Sequence, residues 1–225
     1  MYLSRLTLNP RSAQVRAELA RPYEMHRTLA RAFPDETYSK ARDDGDAAGV
    51  LFRVDASPRD QKIVVLVQSQ VAPNWSALDG KCDERGHAYL LQPAECKAFE
   101  LNLIAGQTLA FRLRANPTKR LGRGNAKQPG KRVGLRDERE QIEWLERKAD
   151  TGGFRIVRVI ISRDEYIENE NAIHHNHQSH DLKLLAAQFD GVLQIVNAEQ
   201  FLHTVARGIG SGKGFGFGLL SLARA

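Results

Sequence analysis

The segment Thr108-Leu109-Ala110-Phe111-Arg112-Leu113-Arg114 alternates apolar and polar side chains with the two-residue period of an extended chain. Leu109, Phe111 and Leu113 fall on one face, Arg112 and Arg114 on the other. The pattern predicts a half-buried strand with a basic outer face. Residues 2–8 alternate at Leu6, Thr7 and Leu8 and predict another strand, ended by Asn9-Pro10. Helical spacing follows over residues 12–20 and 22–33, with Pro22 suited to a first turn because it has no amide hydrogen to leave unpaired. A polar loop is expected over 40–49, strands over 50–54 and 63–70, then a break at Pro73-Asn74-Trp75. An undetermined segment at 93–103 precedes the alternating strand.

Gly122 to Gly130 is glycine-rich and basic, which marks a flexible loop and a domain junction. Beyond it a second unit follows. Asp137 with Glu140 forms a capping signature for a helix through Lys148, closed by Gly152-Gly153. Residues 154–162 are rich in Ile and Val and read as a strand. Strands are also expected over 182–189 and 192–196, with Asp190-Gly191 as the hairpin turn between them. Asn197 and Gln200 cap a helix that ends at Arg207-Gly208, and residues 215–222 read as a closing strand. Each half approximates β-α-β-β-α-β. The expected fold is α+β: two tandem ferredoxin-like (RRM-like) domains with antiparallel sheets. The first would span 1–121, the junction 122–130 and the second 131–225.

The chain has 225 residues, enough for two such domains. Hydrophobic residues at 42% and charged residues at 27% argue against global disorder. No apolar run reaches the ~20 residues of a membrane span, and the N-terminus lacks a signal-peptide pattern, so no membrane association and a cytoplasmic location are expected. There the two thiols, Cys82 and Cys96, should stay reduced and unpaired; with His87 they fit no usual zinc spacing. The net charge of +6 is concentrated. Residues 112–136 hold nine basic side chains and no acidic one, while the rest of the chain has 24 basic and 27 acidic residues. Such a cluster suits a phosphate backbone, or else is a solvated basic linker.

Three stretches carry candidate chemistry. Over residues 22–33, Met25, Leu29, Ala32 and Phe33 form an apolar stripe, while Tyr23, His26 and Arg27 share another face at i, i+3 and i+4, extended a turn by Arg31. Imidazole titrates near neutrality and suits proton transfer; guanidinium suits phosphate. RNA carries its own nucleophile, the 2′-hydroxyl, so this set suits RNA cleavage. The alternative is an amphipathic helix with a surface histidine. The second stretch, Gly208-Ile209-Gly210-Ser211-Gly212-Lys213-Gly214-Phe215-Gly216-Phe217-Gly218, places six glycines in eleven residues. It fits neither a Walker loop nor a dinucleotide fingerprint. It is a close-approach loop for phosphate or a flexible turn. The third, His174, His175, His177 and His180, is a metal-binding cluster or an exposed polar loop, the latter favoured by Glu168-Asn169-Glu170-Asn171 beside it.

The opening Met-Tyr-Leu-Ser-Arg-Leu, the Tyr23-Glu24-Met25-His26-Arg27 helix, Phe111-Arg112-Leu113-Arg114-Ala115-Asn116-Pro117-Thr118-Lys119-Arg120, Glu143-Trp144-Leu145 and the C-terminal glycine-rich segment through Leu222 together resemble the CasE family. These are the endoribonucleases that process CRISPR repeat RNA in the Cascade complex. The resemblance runs through both halves in order, except around residues 164–180. It implies cleavage at the base of a repeat stem-loop without metal or other cofactor. The products would be a 2′,3′-cyclic phosphate, or its opened form, and a 5′-hydroxyl. It also implies partnership with the other Cascade subunits. The family's active-site histidine falls at His26 and a tyrosine one turn earlier at Tyr23, with His26 as general acid and Tyr23 as positioner or base, the division between them open. Arg27 and Arg31 are assigned to phosphate. Arg112, Arg114, Lys119, Arg120, Arg132, Arg155, Arg158 and Lys213 are candidates for the RNA stem and backbone, beside Gly208, Gly210, Gly212, Gly214, Gly216 and Gly218. Two rivals remain: a non-catalytic RNA-binding subunit, and a metal-dependent nuclease using His174–His180.

Overall fold

Strand β1 (Tyr2–Leu8) buries Ser4, Leu6 and Leu8 and leaves Arg5 in solvent, as the period-two pattern requires. The computed structural model describes residues 1–34, 49–57, 62–122, 132–163, 167–169 and 182–225, and the chain forms two units. In the first, β1 is followed by helices α1 (Ala13–Ala20) and α2 (Pro22–Ala30), then by strands β2 (Leu51–Ser57), β3 (Lys62–Ser69) and β4 (Glu95–Ala98). The sheet is antiparallel in the order β2-β3-β1-β4. Leu6, Leu8, Phe52, Val65 and Val67 from the sheet pack with Val15, Met25 and Leu29 from the helices. Trp75 joins this core, and its indole donates to Ser4 Oγ at 2.9 Å, so the one polar atom of the ring is satisfied. Between β3 and β4 the expected second helix is reduced to a 3₁₀ turn at Trp75–Ala77. Pro73, Gly80, Gly86 and Pro93 leave no uninterrupted run on which a longer helix could form.

The second unit contains β5 (Thr108–Ala115), the hairpin β6 (Thr118–Arg120) and β7 (Arg132–Gly134), helix α3 (Glu138–Asp150) and β8 (Phe154–Arg163). There follow the pair β9 (Ile167–Asn169) and β10 (Leu182–Leu184), β11 (Ala187–Ile195), helix α4 (Ala198–Arg207), counted with this unit through Thr204, and β12 (Leu220–Arg224). Its antiparallel sheet has the order β12-β5-β11-β8. Both units are ferredoxin-like: the first and third strands lie side by side at the centre. Asp137 Oδ1 accepts the backbone N–H of Arg139 and Glu140 at 2.9 and 3.2 Å, and Asn197 Oδ1 that of Gln200 at 3.0 Å, so both expected caps form. Trp144 stacks on Phe189, with ring centres 6.0 Å apart, and Phe154 packs on Phe201 at 5.2 Å.

Three expectations are corrected. Residues 103–121 do not belong to the first domain, because β5 hydrogen-bonds to β11 and β12; the second unit starts at Leu103. The first unit in turn takes back Val205–Gly208 and Lys213–Leu219, so the 1–121 and 131–225 divisions both move. Alternation identifies a strand but not the sheet it joins. Second, Asp190-Gly191 is not a turn: β11 runs straight through it. A Cβ on Gly191 would lie 2.2 Å from the Arg158 carbonyl oxygen, so this glycine serves a close strand approach. Third, the closing strand starts at Leu220 rather than at 215, because Gly216 and Gly218 adopt φ of +82° and +91°.

Cys82 and Cys96 are free, exposed thiols. The His174–His180 cluster, and residues 123–130 of the expected junction, lie outside the described residues.

Candidate active site

Helix α2 is short and starts without a side-chain cap; Pro22 supplies the preset first turn. Tertiary contacts fix it instead. On its inner face Thr28 Oγ1 donates to Glu18 Oε1 of α1 at 2.7 Å. The second carboxylate oxygen accepts from the Tyr89 hydroxyl at 2.6 Å, and Gln14 Nε2 also donates to Glu18, at 2.6 Å. Burial and the neighbouring Glu18 push the Tyr89 phenol well above the ordinary tyrosine value, so it remains a donor. This satisfied buried carboxylate sets the rotation of α2 about its axis.

With that face anchored, Tyr23 and His26 meet strand β2 and the 3₁₀ turn Lys213–Phe215. The Tyr23 and His26 rings lie 5.8 Å apart, tilted by 39°. Tyr23 packs on Phe215 at 5.7 Å, and His26 lies nearly parallel to the Phe52 ring, 15° apart at 6.2 Å. A Cβ built on Gly214 would stand 3.5 Å from His26 Cδ2 and 3.8 Å from Nε2, so glycine there keeps the backbone close while leaving room beside the imidazole. Burial pushes His26 below the ordinary value of 6.5, which favours the neutral imidazole. Arg27 is exposed and pairs with Glu24 at 3.2 Å; Arg31 is exposed one turn on. A neutral imidazole, a phenol and two guanidiniums on one helix can exchange protons and bind an anion.

The remaining candidates fall in two groups. Lys213, Gly208, Gly214, Gly216 and Gly218 belong to the first unit with His26. Arg112, Arg114, Lys119, Arg120, Arg132, Arg155, Arg158, Gly210 and Gly212 belong to the second. There Arg112 Nε donates to Asp190 Oδ1 at 2.6 Å, across from β5 to β11. Lys119 pairs with Glu140, and Arg155 Nε donates to Gln194 Oε1 at 2.8 Å. Arg120, Arg132 and Arg158 are exposed and Arg114 is half-buried. The glycine-rich segment is not one cradle: Gly208 abuts Leu51, Gly210 Trp144, Gly214 His26 and Gly216 Phe52. Sequence reasoning missed Phe52 and Phe215 as neighbours of the site. Only the parity of Phe52 in its strand hinted that it points inward; nothing local ties it to His26.

Fold and site define the chain as a paired ferredoxin-like protein with a histidine–tyrosine helix in its first unit. Residues 1–224 match the family described as CRISPR associated protein. The chain is 40% identical over 229 residues to the CRISPR-associated endoribonuclease Cse3 of Thermus thermophilus, spanning 99% of this chain and 100% of that one. It is 32% identical over 232 residues to the CRISPR system Cascade subunit CasE of Escherichia coli, spanning 99% of each. A solved structure of Cse3 bound to a 19 nt RNA superposes with a TM-score of 0.78 at 40% identity, covering 99% of this chain and 100% of that one. The chain therefore belongs to this CRISPR-associated family, which Cse3 and CasE represent.

Proposed function

We propose that the protein is a metal-independent endoribonuclease that binds the stem-loop of CRISPR repeat RNA and cuts the precursor at the stem base. It then remains with the mature RNA as a subunit of Cascade, in the cytoplasm. The observation that carries the reading is the Tyr23–His26 pair held beside Gly214 and Phe215, in a chain alike from end to end to an endoribonuclease.

The 2′-hydroxyl of the nucleotide 5′ of the cut attacks the phosphorus and loses its proton. The bond to the 5′-oxygen breaks, and that oxygen takes up a proton. The products are a 2′,3′-cyclic phosphate and a 5′-hydroxyl. His26 donates the proton to the leaving oxygen, and Tyr23 orients the 2′-hydroxyl, whose own proton passes to solvent water. Burial favours the neutral form of His26, and the anionic substrate works against it: a phosphate beside an imidazole raises its pKa. Arg27 and Arg31 offset the charge that develops on the phosphorus centre. In the second unit, Arg112, Arg114, Lys119, Arg120, Arg132, Arg155 and Arg158 hold the stem and its backbone, and Lys213 the strand at the site.

The test is incubation with repeat RNA in excess EDTA, with both product ends mapped. Cyclic phosphate and 5′-hydroxyl ends are expected. Binding without cleavage identifies a non-catalytic subunit, and strict dependence on added metal refutes the acid–base scheme.

A further inference from the structure

We propose that Phe52 is a positioning residue for His26: its ring, packed nearly flat beside the imidazole, fixes the plane in which that imidazole meets RNA. The proposal rests on His26 being the acid–base group of the cleavage reaction. Three observations support it. The His26 and Phe52 rings are only 15° from parallel, whereas Tyr23 is tilted by 39° to the same imidazole. Phe52 is fully buried, and its backbone is locked in register opposite Val67 in the sheet, so its ring is a fixed wall. Finally, a Cβ on Gly216 would lie 3.1 Å from Phe52 Cε2, so the returning C-terminal segment packs directly against the same ring.

A phenyl wall suits this task. It has no hydrogen-bonding atom to compete for Nδ1 or Nε2, and it excludes water from one side of the ring. The second property is in keeping with the direction in which burial moves His26. Proton transfer depends steeply on the alignment of donor and acceptor, so a loosened imidazole loses rate more than affinity.

The experiment compares Phe52→Leu with Phe33→Leu. Phe33 is another buried ring of the same core, but it packs edge-on against Trp75 at 5.9 Å. Each variant is read by NMR titration of His26 in the free protein and by cleavage of repeat RNA against pH. Phe52→Leu is expected to move the His26 titration upward, toward 6.5, and to carry with it the descending limb of the single-turnover rate measured at sub-saturating protein. It should lower the maximal single-turnover rate by about ten- to a hundredfold and leave the half-saturating protein concentration within about threefold. Phe33→Leu should leave the titration and the limb in place. If Phe52→Leu does not fold, Phe52→Met, closer in volume, carries the same readouts. An unmoved titration in the Phe52 variant, or an equal movement in Phe33→Leu, overturns the proposal. Normal cleavage by His26→Ala instead overturns the underlying mechanism, and the NMR titration still reports on the ring contact.

Discussion

The two units share a sheet order but build their helices differently. In the second, α3 and α4 each begin on a side-chain cap, from Asp137 and Asn197, and carry ordinary amphipathic faces. In the first, α2 has nine residues and no side-chain cap, and the later crossover is a single 3₁₀ turn. A helix that short is marginal on its own. Its position is therefore dictated by distant partners: Glu18 and Tyr89 on one side, Phe52 and Phe215 on the other. The unit with two capped helices after its first strand carries seven of the ten basic residues proposed to contact RNA; the unit in which α2 depends on its surroundings carries the proposed acid–base pair. Precise placement here comes from tertiary contact, not from propensity.

The sharpest way to break this contrast is at the chemistry. His26→Ala should cut the single-turnover rate by about 10²–10⁴-fold with little change in affinity. A 2′-deoxy substitution 5′ of the cut should abolish cleavage while binding survives. A filter-binding curve and a rate on one RNA decide both, and cleavage of the deoxy substrate at the normal rate would refute 2′-hydroxyl attack. In the second unit the effect should reverse. Lys119→Ala with Arg120→Ala should weaken binding about tenfold at moderate salt and flatten its salt dependence, while bound RNA is cut at the parental rate. Unchanged affinity would make β6 a solvated edge.

A smaller effect separates the two ways of holding a helix. Thr28→Val removes one donor to Glu18 and should cost about 1 kcal/mol of stability. Asp137→Ala removes the α3 cap and should cost about 1 kcal/mol as well. Only Thr28→Val should also slow cleavage, because α2 is the helix proposed to carry the reacting groups; equal rates in the two variants would show that α2 is not held by this contact. The smallest effects are acid ones. His26 sits below its unfolded value of 6.5, so it costs the fold nothing above that pH and destabilises it as pH falls through 6.5 and below. Asp83 accepts N–H groups from Ala13, His87 and Arg85, chiefly the first, which holds its carboxyl at about 2 against an ordinary 3.8. Its contribution is present above 3.8 and is lost as pH falls through 2. In denaturation curves against pH, His26→Gln should remove the upper step and Asp83→Asn the lower; two unchanged profiles would contradict both assignments.

Much of this was legible in the sequence, and the exceptions share a cause. The bounds of β1, the caps of α3 and α4 and the Tyr23–His26 face are set within a few residues of chain, so local patterns reveal them. The sheet to which β5 belongs is decided by strands more than 70 positions later, and alternation carries no record of that. Asp190-Gly191 has the composition of a hairpin turn, yet Gly191 answers to the Arg158 carbonyl on the neighbouring strand. Phe52 and Phe215 reach the site for the same kind of reason: their partner lies far away in sequence.

The return of Lys213–Leu219 to the first unit has a consequence for how the enzyme comes into being. Tyr23 leaves the ribosome early, whereas Phe215 and Gly214, which complete its surroundings, are made roughly 190 positions later. At about 5–20 residues per second, that interval is on the order of ten seconds or more. Throughout it the nascent chain carries Tyr23 and His26 without the contacts that Phe215 and Gly214 make with them. The surroundings of the proposed site are therefore complete only when translation is almost over.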